Sequence, residues 1–168
     1  IDLAGKEWSP IGGWNGAQTD LNKKFQGTFD GKEYIIKNMV INLQNRDYVG
    51  FFGCVDSYLV QNIELINVEV KGSSYVGGLI GYSTNYNSTI SNCHVAGSII
   101  GLNQYIGGLV GYNYSTISNC YSKSSVLGSS YIGGLVGYAG GGTISNCYSI
   151  AIVTGNSYVG GVIGYAVS

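Results

Sequence analysis

The chain has 168 residues, a formal net charge of −1, 28 glycines and a single proline. It has no run of 18 apolar residues, which excludes a helical membrane span, and no basic patch, which argues against nucleic acid as a partner. All of the acidic residues lie before residue 70, so the rest of the chain is almost uncharged. Such a surface offers little charge repulsion between copies.

Residues 1–31 come first and show no internal period. They contain Trp8 and Trp14 and a large share of the charged residues. Since an array of stacked repeats exposes a sheet edge at its first unit, a non-repetitive segment at that place predicts a cap. We therefore expect an N-terminal cap over residues 1–31 and one continuous repeat domain over residues 32–168.

An eight-residue motif then recurs through the chain. It reads YVGGLIGY at 75–82, YIGGLVGY at 105–112 and 131–138, and YVGGVIGY at 158–165, with a degraded form at 48–54. A second motif, TISNC, follows in phase at 89–93, 116–120 and 143–147. Self-similarity with a period of 26–30 residues is typical of a solenoid.

The repeats predict strands rather than helices. They are rich in Val, Ile, Tyr, Thr and Ser and alternate over short runs, and each of their frequent glycines would cost a helix about 1 kcal/mol. The predicted fold class is all-β, a single β-solenoid of about six coils of 26–30 residues. Successive coils are expected to hydrogen-bond as parallel strands.

Stacking explains why the same residues recur, because equivalent residues of successive coils lie directly above one another. Asparagine tolerates its own copy as a neighbour, since its amide both donates and accepts hydrogen bonds. Paired glycines such as Gly77–Gly78 predict a close approach of backbones that a Cβ would block. The predicted ladders are Asn38, Asn62, Asn92, Asn119 and Asn146 at a corner, and in the core Leu79, Leu109, Leu135 and Val162, with Ile90, Ile117 and Ile144.

The cysteines also follow the period. Cys93, Cys120 and Cys147 occupy one position of successive repeats, whereas Cys54 aligns with Tyr82. A disulfide framework uses paired, non-equivalent positions, and metal sites need short spacings such as CxxC, which the sequence lacks. The pattern predicts a ladder of buried free thiols, with a disulfide between stacked neighbours as the alternative.

The glycine-rich half of the motif resembles the GLUG repeat, named for Gly-Leu-hydrophobic-Gly. Residues 78–81, 108–111 and 134–137 match it fully, residues 161–164 have Val for Leu, and residues 50–53 have Phe. Segments 8–12 and 25–31 resemble the stretch that often precedes such repeats. The resemblance implies a large secreted or surface-attached bacterial protein, adhesin-like or a non-catalytic part of an IgA-cleaving metallopeptidase, with no cofactor and no chemistry of its own in these repeats.

The remaining residues do not indicate a catalytic site. His94, the single histidine, stands where other repeats have tyrosine and predicts an outward ladder residue, because no Ser or Cys is placed to form a triad. We therefore expect that the chain is not an enzyme. The alternative, a polysaccharide-cleaving groove in the first third, has as candidates Asp30, Asp47 and Asp56 with Lys37 and Arg46.

Two rows of side chains are candidate binding faces, for a glycan, a host surface protein or ice. Tyrosine rings and hydroxyls suit sugar or protein contact, although the same rings could simply shield the edge of the core. A flat threonine row resembles the faces of ice-binding solenoids, but an ordinary solvated strand face is the favoured interpretation. The rows are Tyr75, Tyr105, Tyr131 and Tyr158, paralleled by Tyr82, Tyr112, Tyr138 and Tyr165, and then Thr89, Thr116 and Thr143.

The last coil is expected to be incomplete, because the array stops after the motif at 158–165 and before another TISNC segment. An open edge can pair with another copy or with a flanking repeat of a longer chain, and head-to-tail pairing builds a fibre. The sequence thus favours a non-catalytic extracellular structural or adhesive module, with a self-assembling fibre subunit as the alternative. Asn87 and Asn113 begin N-x-Ser/Thr sequons and are possible glycosylation sites.

Overall fold

Strands make up nearly all of the regular structure in the computed structural model, which describes residues 1–15 and 18–167. Within these ranges a short 3-10 helix at Leu21–Lys23 is the one helix, and no helix is long and apolar enough to cross a membrane. The strands are β1 (Trp14–Asn15), β2 (Gln18–Thr19), β3 (Phe29–Lys37), β4 (Val40–Asn42), β5 (Phe52–Val55), β6 (Leu59–Gly72), β7 (Val76–Gly77), β8 (Ile80–Ser83), β9 (Thr89–Gly101), β10 (Gln104–Gly107), β11 (Val110–Asn113), β12 (Thr116–Ser118), β13 (Tyr121–Leu127), β14 (Ser130–Gly133), β15 (Val136–Ala139), β16 (Ile144–Ser145), β17 (Tyr148–Ser149), β18 (Ile152–Thr154), β19 (Ser157–Gly160) and β20 (Ile163–Ala166).

Each repeat makes one turn of a solenoid, because it contributes one strand to each of several parallel sheets. β10 lies between β7 and β14, β11 lies between β8 and β15, and both β12 and β13 pair with β9. The register joins equivalent residues, so that Tyr112 lies between Tyr82 and Tyr138. The predicted all-β solenoid is confirmed.

The solenoid has about five turns rather than the predicted six or so. The described residues before β3 add no turn and lie against the first turn. They touch it through isolated parallel bridges, at Asp2–Lys37, Glu7–Val40, Ile11–Phe52 and Phe25–Val55. This is the place at which we predicted a cap, although strand β3 already begins at Phe29.

The core consists of inward-facing residues that stack from turn to turn. Leu79, Leu109 and Leu135 are completely buried, and each amide donates to the next turn, Leu79 N to Leu109 O at 3.0 Å and Leu109 N to Leu135 O at 2.9 Å. Ile117 pairs with Ile90 below and Ile144 above. At the N-terminal end the ladders give way to aromatic packing, with the Trp8 and Phe51 rings stacked at 4.7 Å.

The paired glycines of the motif allow successive turns to approach closely. A Cβ added to Gly108 would overlap the carbonyl oxygen of Gly134, and one added to Gly134 would overlap that of Gly161. Gly161 belongs to the last turn, and nothing lies within 4 Å of the position where its Cβ would be. At this position of the motif, glycine is therefore required within the stack but not in the last turn.

The asparagine corner differs in part from the predicted ladder. Asn62, Asn92, Asn119 and Asn146 each adopt a left-handed backbone with φ of 51–56°, and Asn92 Nδ2 donates to Asn62 Oδ1 at 3.1 Å. Asn38 also has a positive φ, but it stacks with Asn67, whose Nδ2 donates to Asn38 Oδ1 at 2.6 Å, and not with Asn62. Its place in the predicted ladder was wrong because β3 pairs with β6 so that Lys37 faces Ile66, which sets Asn38 beside Asn67, while Asn62 donates to Asp30.

Candidate functional site

The tyrosines of the repeat motif form two ranks along the solenoid, which we call the tyrosine array. Neighbouring ring centroids are 4.6–5.1 Å apart in the first rank and 4.4–5.3 Å apart in the second. The ranks also touch each other, as at 5.0 Å between Tyr105 and Tyr112. The first rank is Tyr48, Tyr75, Tyr105, Tyr131 and Tyr158, and the second is Tyr82, Tyr112, Tyr138 and Tyr165.

Every tyrosine of the first rank has a positive φ, between 50° and 63°. Residues other than glycine rarely adopt this conformation, which costs of the order of 1–3 kcal/mol and persists only where surrounding contacts hold it. Stacking of each ring on its neighbours supplies such contacts. Sequence reasoning missed this feature, because a left-handed corner is normally signalled by Gly or Asn rather than by Tyr.

The array is uncharged at neutral pH. Burial raises the pKa of Tyr75 and of Tyr82 to about 12, because it penalises the phenolate. The hydroxyls of Tyr112 and Tyr114 hydrogen-bond to each other at 3.1 Å. The array therefore presents neutral hydroxyl groups and ring edges to solvent.

The geometry favours a scaffolding role for the array over a platform for sugars. A sugar ring binds an aromatic side chain by lying on its face, but within the array those faces are largely covered by the neighbouring tyrosines. Tyr158, in the last turn, is an exception with 54% of its surface exposed. The proposed sugar contact along Tyr75, Tyr105 and Tyr131 would thus have to use ring edges alone.

The threonine row lies on the sheet formed by β9, β12 and β16. Thr116 pairs with Thr89, and Ser118 pairs with Ser91 and Ser145, so the hydroxyl side chains form short parallel rows. Thr143 continues the row, since its carbonyl accepts from Ile117 N at 2.8 Å. Below Thr89 the row ends at Leu59. The flat hydroxyl surface is therefore only three turns long.

All four cysteines are free thiols. Cys93 and Cys120 are buried and in contact, with Cys93 N 3.4 Å from Cys120 Sγ, and Cys147 above them is half-buried. Burial raises the pKa of the Cys54 thiol to about 12. Since the thiolate is the reactive form, this sulfur is unsuited to be a nucleophile. No cluster of three or more metal-ligating side chains occurs in the described part of the chain.

Two of the acidic candidates, Asp30 and Asp47, are engaged in hydrogen bonds within the solenoid. Asp30 accepts from Lys32 N, Asn62 and Gln61 and forms a salt bridge with Lys32, and the hydrogen bonds, first that of Lys32 N, hold its pKa well below the usual value. Asp47 accepts from Ser74 N at 2.9 Å. These carboxylates support the backbone of neighbouring turns, as the turn-forming interpretation of such residues predicts.

The two glycosylation candidates lie in different environments. Asn87 is exposed, and its side chain is accessible. Asn113 is completely buried, and its Nδ2 donates to Ser115 O at 2.7 Å while its Oδ1 accepts from Ser115 N. The prediction for Asn113 was therefore wrong for the folded chain, because a glycan on this amide would have to occupy the core.

A small cleft lies where the first third meets the regular repeats, and we call it the His94 cleft. Its volume is about 190 Å³. It is beside the asparagine corner, and its walls come from three successive turns. The lining residues are Glu33, Asn62, Ile63, Glu64, Asn92 and His94.

One column of side chains includes two residues of the cleft wall, Glu64 and His94. Glu64, His94, Tyr121 and Tyr148 occupy equivalent positions in successive turns. The His94 ring stacks on Tyr121 at 3.9 Å with an interplanar angle of 12°. The Tyr121 hydroxyl reaches past it and donates to Glu64 Oε1 at 3.3 Å. Sequence reasoning singled out His94 but not its neighbours, because the register that stacks Glu64 below it is not visible in the repeat motif.

Stacked parallel turns with continuous internal ladders define the chain as a β-solenoid repeat protein. Three of its repeats match the family model of the GLUG motif, over residues 72–100, 103–127 and 128–154. The resemblance seen in the sequence is thereby confirmed.

Three known proteins are similar to the chain. It is 34% identical over 110 residues to Halomucin of Haloquadratum walsbyi, a match that covers 64% of this chain and 1% of Halomucin. It is 35% identical over 85 residues to a protein of Evansella cellulosilytica named as a Gly-rich membrane protein, covering 48% of this chain and 9% of that protein. The crystal structure of an immunoglobulin A1 protease-like protein from Bacteroides ovatus superimposes with a TM-score of 0.77 at 28% identity, covering 100% of this chain and 53% of that one.

Proposed function

We propose that the chain is a non-catalytic structural module of a secreted or cell-surface protein, in which stacked GLUG turns act as a stiff spacer. The observation that carries the proposal is the unbroken stacking of tyrosine rings from Tyr48 to Tyr165, in which every turn packs on the next one. The match to small parts of much longer relatives, one of them named a membrane protein, supports a repeated surface element.

Single-molecule force spectroscopy tests the spacer role. The chain, held between two domains of known unfolding force, should resist extension and then unfold in one cooperative event, because nearest-neighbour stacking couples the turns. Stepwise unravelling of single turns at low force would contradict the proposal. The Leu109→Ala variant, which leaves a cavity in the middle of the core, should lower the unfolding force.

The non-catalytic part of the proposal has its own test. The chain should release no reducing ends from a panel of polysaccharides during prolonged incubation. Release that disappears in the Glu64→Gln variant would show instead that the His94 cleft is an active site.

A second candidate function, assembly into a fibre, is favoured by the surface of the last turn. Val159 and Val162 are 45% and 38% exposed there, although their counterparts Ile132 and Leu135 in the turn below are completely buried. The free strand edges of β16–β20 would take another copy, or a flanking repeat of a longer chain, as partner.

Electron microscopy of the purified chain across a concentration series, in reducing buffer, tests assembly. Filaments are expected if the last turn of one copy binds the N-terminal end of another copy. The Gly161→Ala variant should then remain monomeric with an unchanged melting temperature, because the added methyl blocks only a turn stacked above it. Single particles of the wild type at every concentration would contradict assembly.

A further inference from the structure

We propose that the His94 cleft binds a single neutral sugar ring of a glycan, as a site separate from the tyrosine array and the threonine row. The inference goes beyond the proposed spacer role, which does not depend on it. The cleft is lined by side chains of three successive turns, of which Glu33, Glu64 and His94 do not repeat one another.

The chemistry of the lining fits a polyhydroxylated ring. Glu33 and Glu64 supply carboxylate oxygens that accept from sugar hydroxyls, and the amides of Asn62 and Asn92 form a polar wall, joined by their own hydrogen bond of 3.1 Å. Hydrogen bonds to charged acceptors are the stronger ones in proteins. An anionic sugar would face two carboxylates, so the cleft should discriminate against uronic acids.

His94 contributes an unused polar atom and a ring. Its Nδ1 is buried and has no hydrogen-bond partner within the described residues, which is uncommon for a buried nitrogen. Burial lowers the pKa of His94, so that the imidazole brings no charge to the cleft. Tyr121 covers one face of the imidazole. Its other face lies on the side of the Glu64 turn, towards the cleft.

Glu33 lies at a register shift in the pairing of β3 with β6. Lys32 and Glu33 both have positive φ, 53° and 62°, at the register shift between Asp30 and Tyr34. Bulges of this kind re-aim side chains and are frequent beside binding sites. Asp30 holds the bulge by accepting from Lys32 N at 2.9 Å, which leaves Glu33 at the wall of the cleft.

The test is isothermal titration calorimetry of the whole chain with soluble dextran, mannan and xylan oligosaccharides, and with oligogalacturonate as the anionic comparison. At least one neutral oligosaccharide is expected to bind in the millimolar range or better, and oligogalacturonate is not. Glu64→Gln should weaken binding about tenfold, because it removes a charged acceptor. His94→Tyr, which restores the residue found at 121 and 148, should abolish binding by filling the cleft.

Glu69→Gln is the matched control, since Glu69 is an exposed carboxylate on the same strand β6 but outside the cleft. It should bind as the wild type does, and thermal melting of all variants checks that they are folded. The inference is overturned if none of the neutral oligosaccharides binds. It is equally overturned if binding survives both Glu64→Gln and His94→Tyr, which would place the contact elsewhere on the solenoid.

Discussion

The first third of the chain and the repeats that follow share one solenoid but are held together by different chemistry. In the first third, neighbouring turns differ, and rings such as Trp8 and Phe51 pack with hydrogen-bonded carboxylates such as Asp30. In the repeats, each residue lies on its own copy, as Tyr112 does between Tyr82 and Tyr138.

The contrast explains where the charges are. Like charges directly opposite each other across a strand pair are destabilising, so a position that stacks on its own copy cannot carry a charge. Carboxylates are found only where successive turns are unlike, and Glu64 below His94 is an example. Regular turns therefore provide the scaffold, whereas the irregular turns have the freedom to hold a polar site.

The largest effect is expected from valine at Gly134 in the regular stack. A side chain there would overlap the Gly161 carbonyl oxygen, so Gly134→Val should lower the free energy of unfolding by more than about 2 kcal/mol in urea denaturation. Gly161→Val is the matched control, since its Cβ would meet nothing within 4 Å, and it should change stability by no more than about 0.5 kcal/mol. A wild-type melting temperature for Gly134→Val would contradict the stacking argument.

A smaller effect is expected at the asparagine corner, where the two regions should differ. Asn119→Ala should destabilise the chain by about 1 kcal/mol, because alanine is strained at a φ of 53°, and Asn119→Gly should be close to neutral. Asn38→Ala should cost more than Asn119→Ala, because Asn38 also donates to Asp2 and accepts from Asn67. Equal losses of stability at the two positions would show that backbone conformation alone matters.

The two regions should also lose stability at opposite ends of the pH scale. Asp30 has a lowered pKa in the folded chain, so its contribution to stability is present above its ordinary pKa of 3.8 and is lost as the pH falls below it. Tyr75 and Tyr82 have pKa values raised to about 12, so their contribution is present below pH 10 and is lost as the pH rises from 10 to 12.

Chemical denaturation at a series of pH values checks both arms, with phenolate absorbance reporting the tyrosines. In the Asp30→Asn variant, the free energy of unfolding should fall less at acidic pH, and its fall at alkaline pH should be the same as in the wild type. Phenols that all titrate near pH 10 in the folded protein would contradict the burial of the array.

The smallest effect concerns the thiols. Cys147 is half-buried at the C-terminal end of the cysteine ladder. It should therefore react with a thiol reagent before Cys54, Cys93 and Cys120, which are buried. Cys54 of the first third and the three cysteines of the repeats should react at similar rates only after the chain unfolds. Rapid labelling of four thiols in the folded chain would show that the core opens readily.

The sequence alone was sufficient for the fold class and for most of the ladders. A period of 26–30 residues, with β-branched runs interrupted by glycine, is compatible with few folds other than a β-solenoid. If each period makes one turn, residues that recur in phase must stack on one another. It was not sufficient where the period is broken. Asn38 was assigned to the wrong corner, and the buried state of Asn113 was not foreseen, because neither its sequon nor its repeat position shows which way the side chain points.

What the sequence by itself determined was therefore the repeating part of this protein, since identical residues at a constant spacing specify both the strands and their register. Only the tertiary structure decided the left-handed tyrosine corners of the repeats. It also decided two features of the irregular part, the packing of the N-terminal bridges against the first turn and the His94 cleft. These features arise from contacts between unlike turns, such as Tyr121 reaching past His94 to Glu64. Their register depends on a bulge in β3 whose position no local pattern specifies.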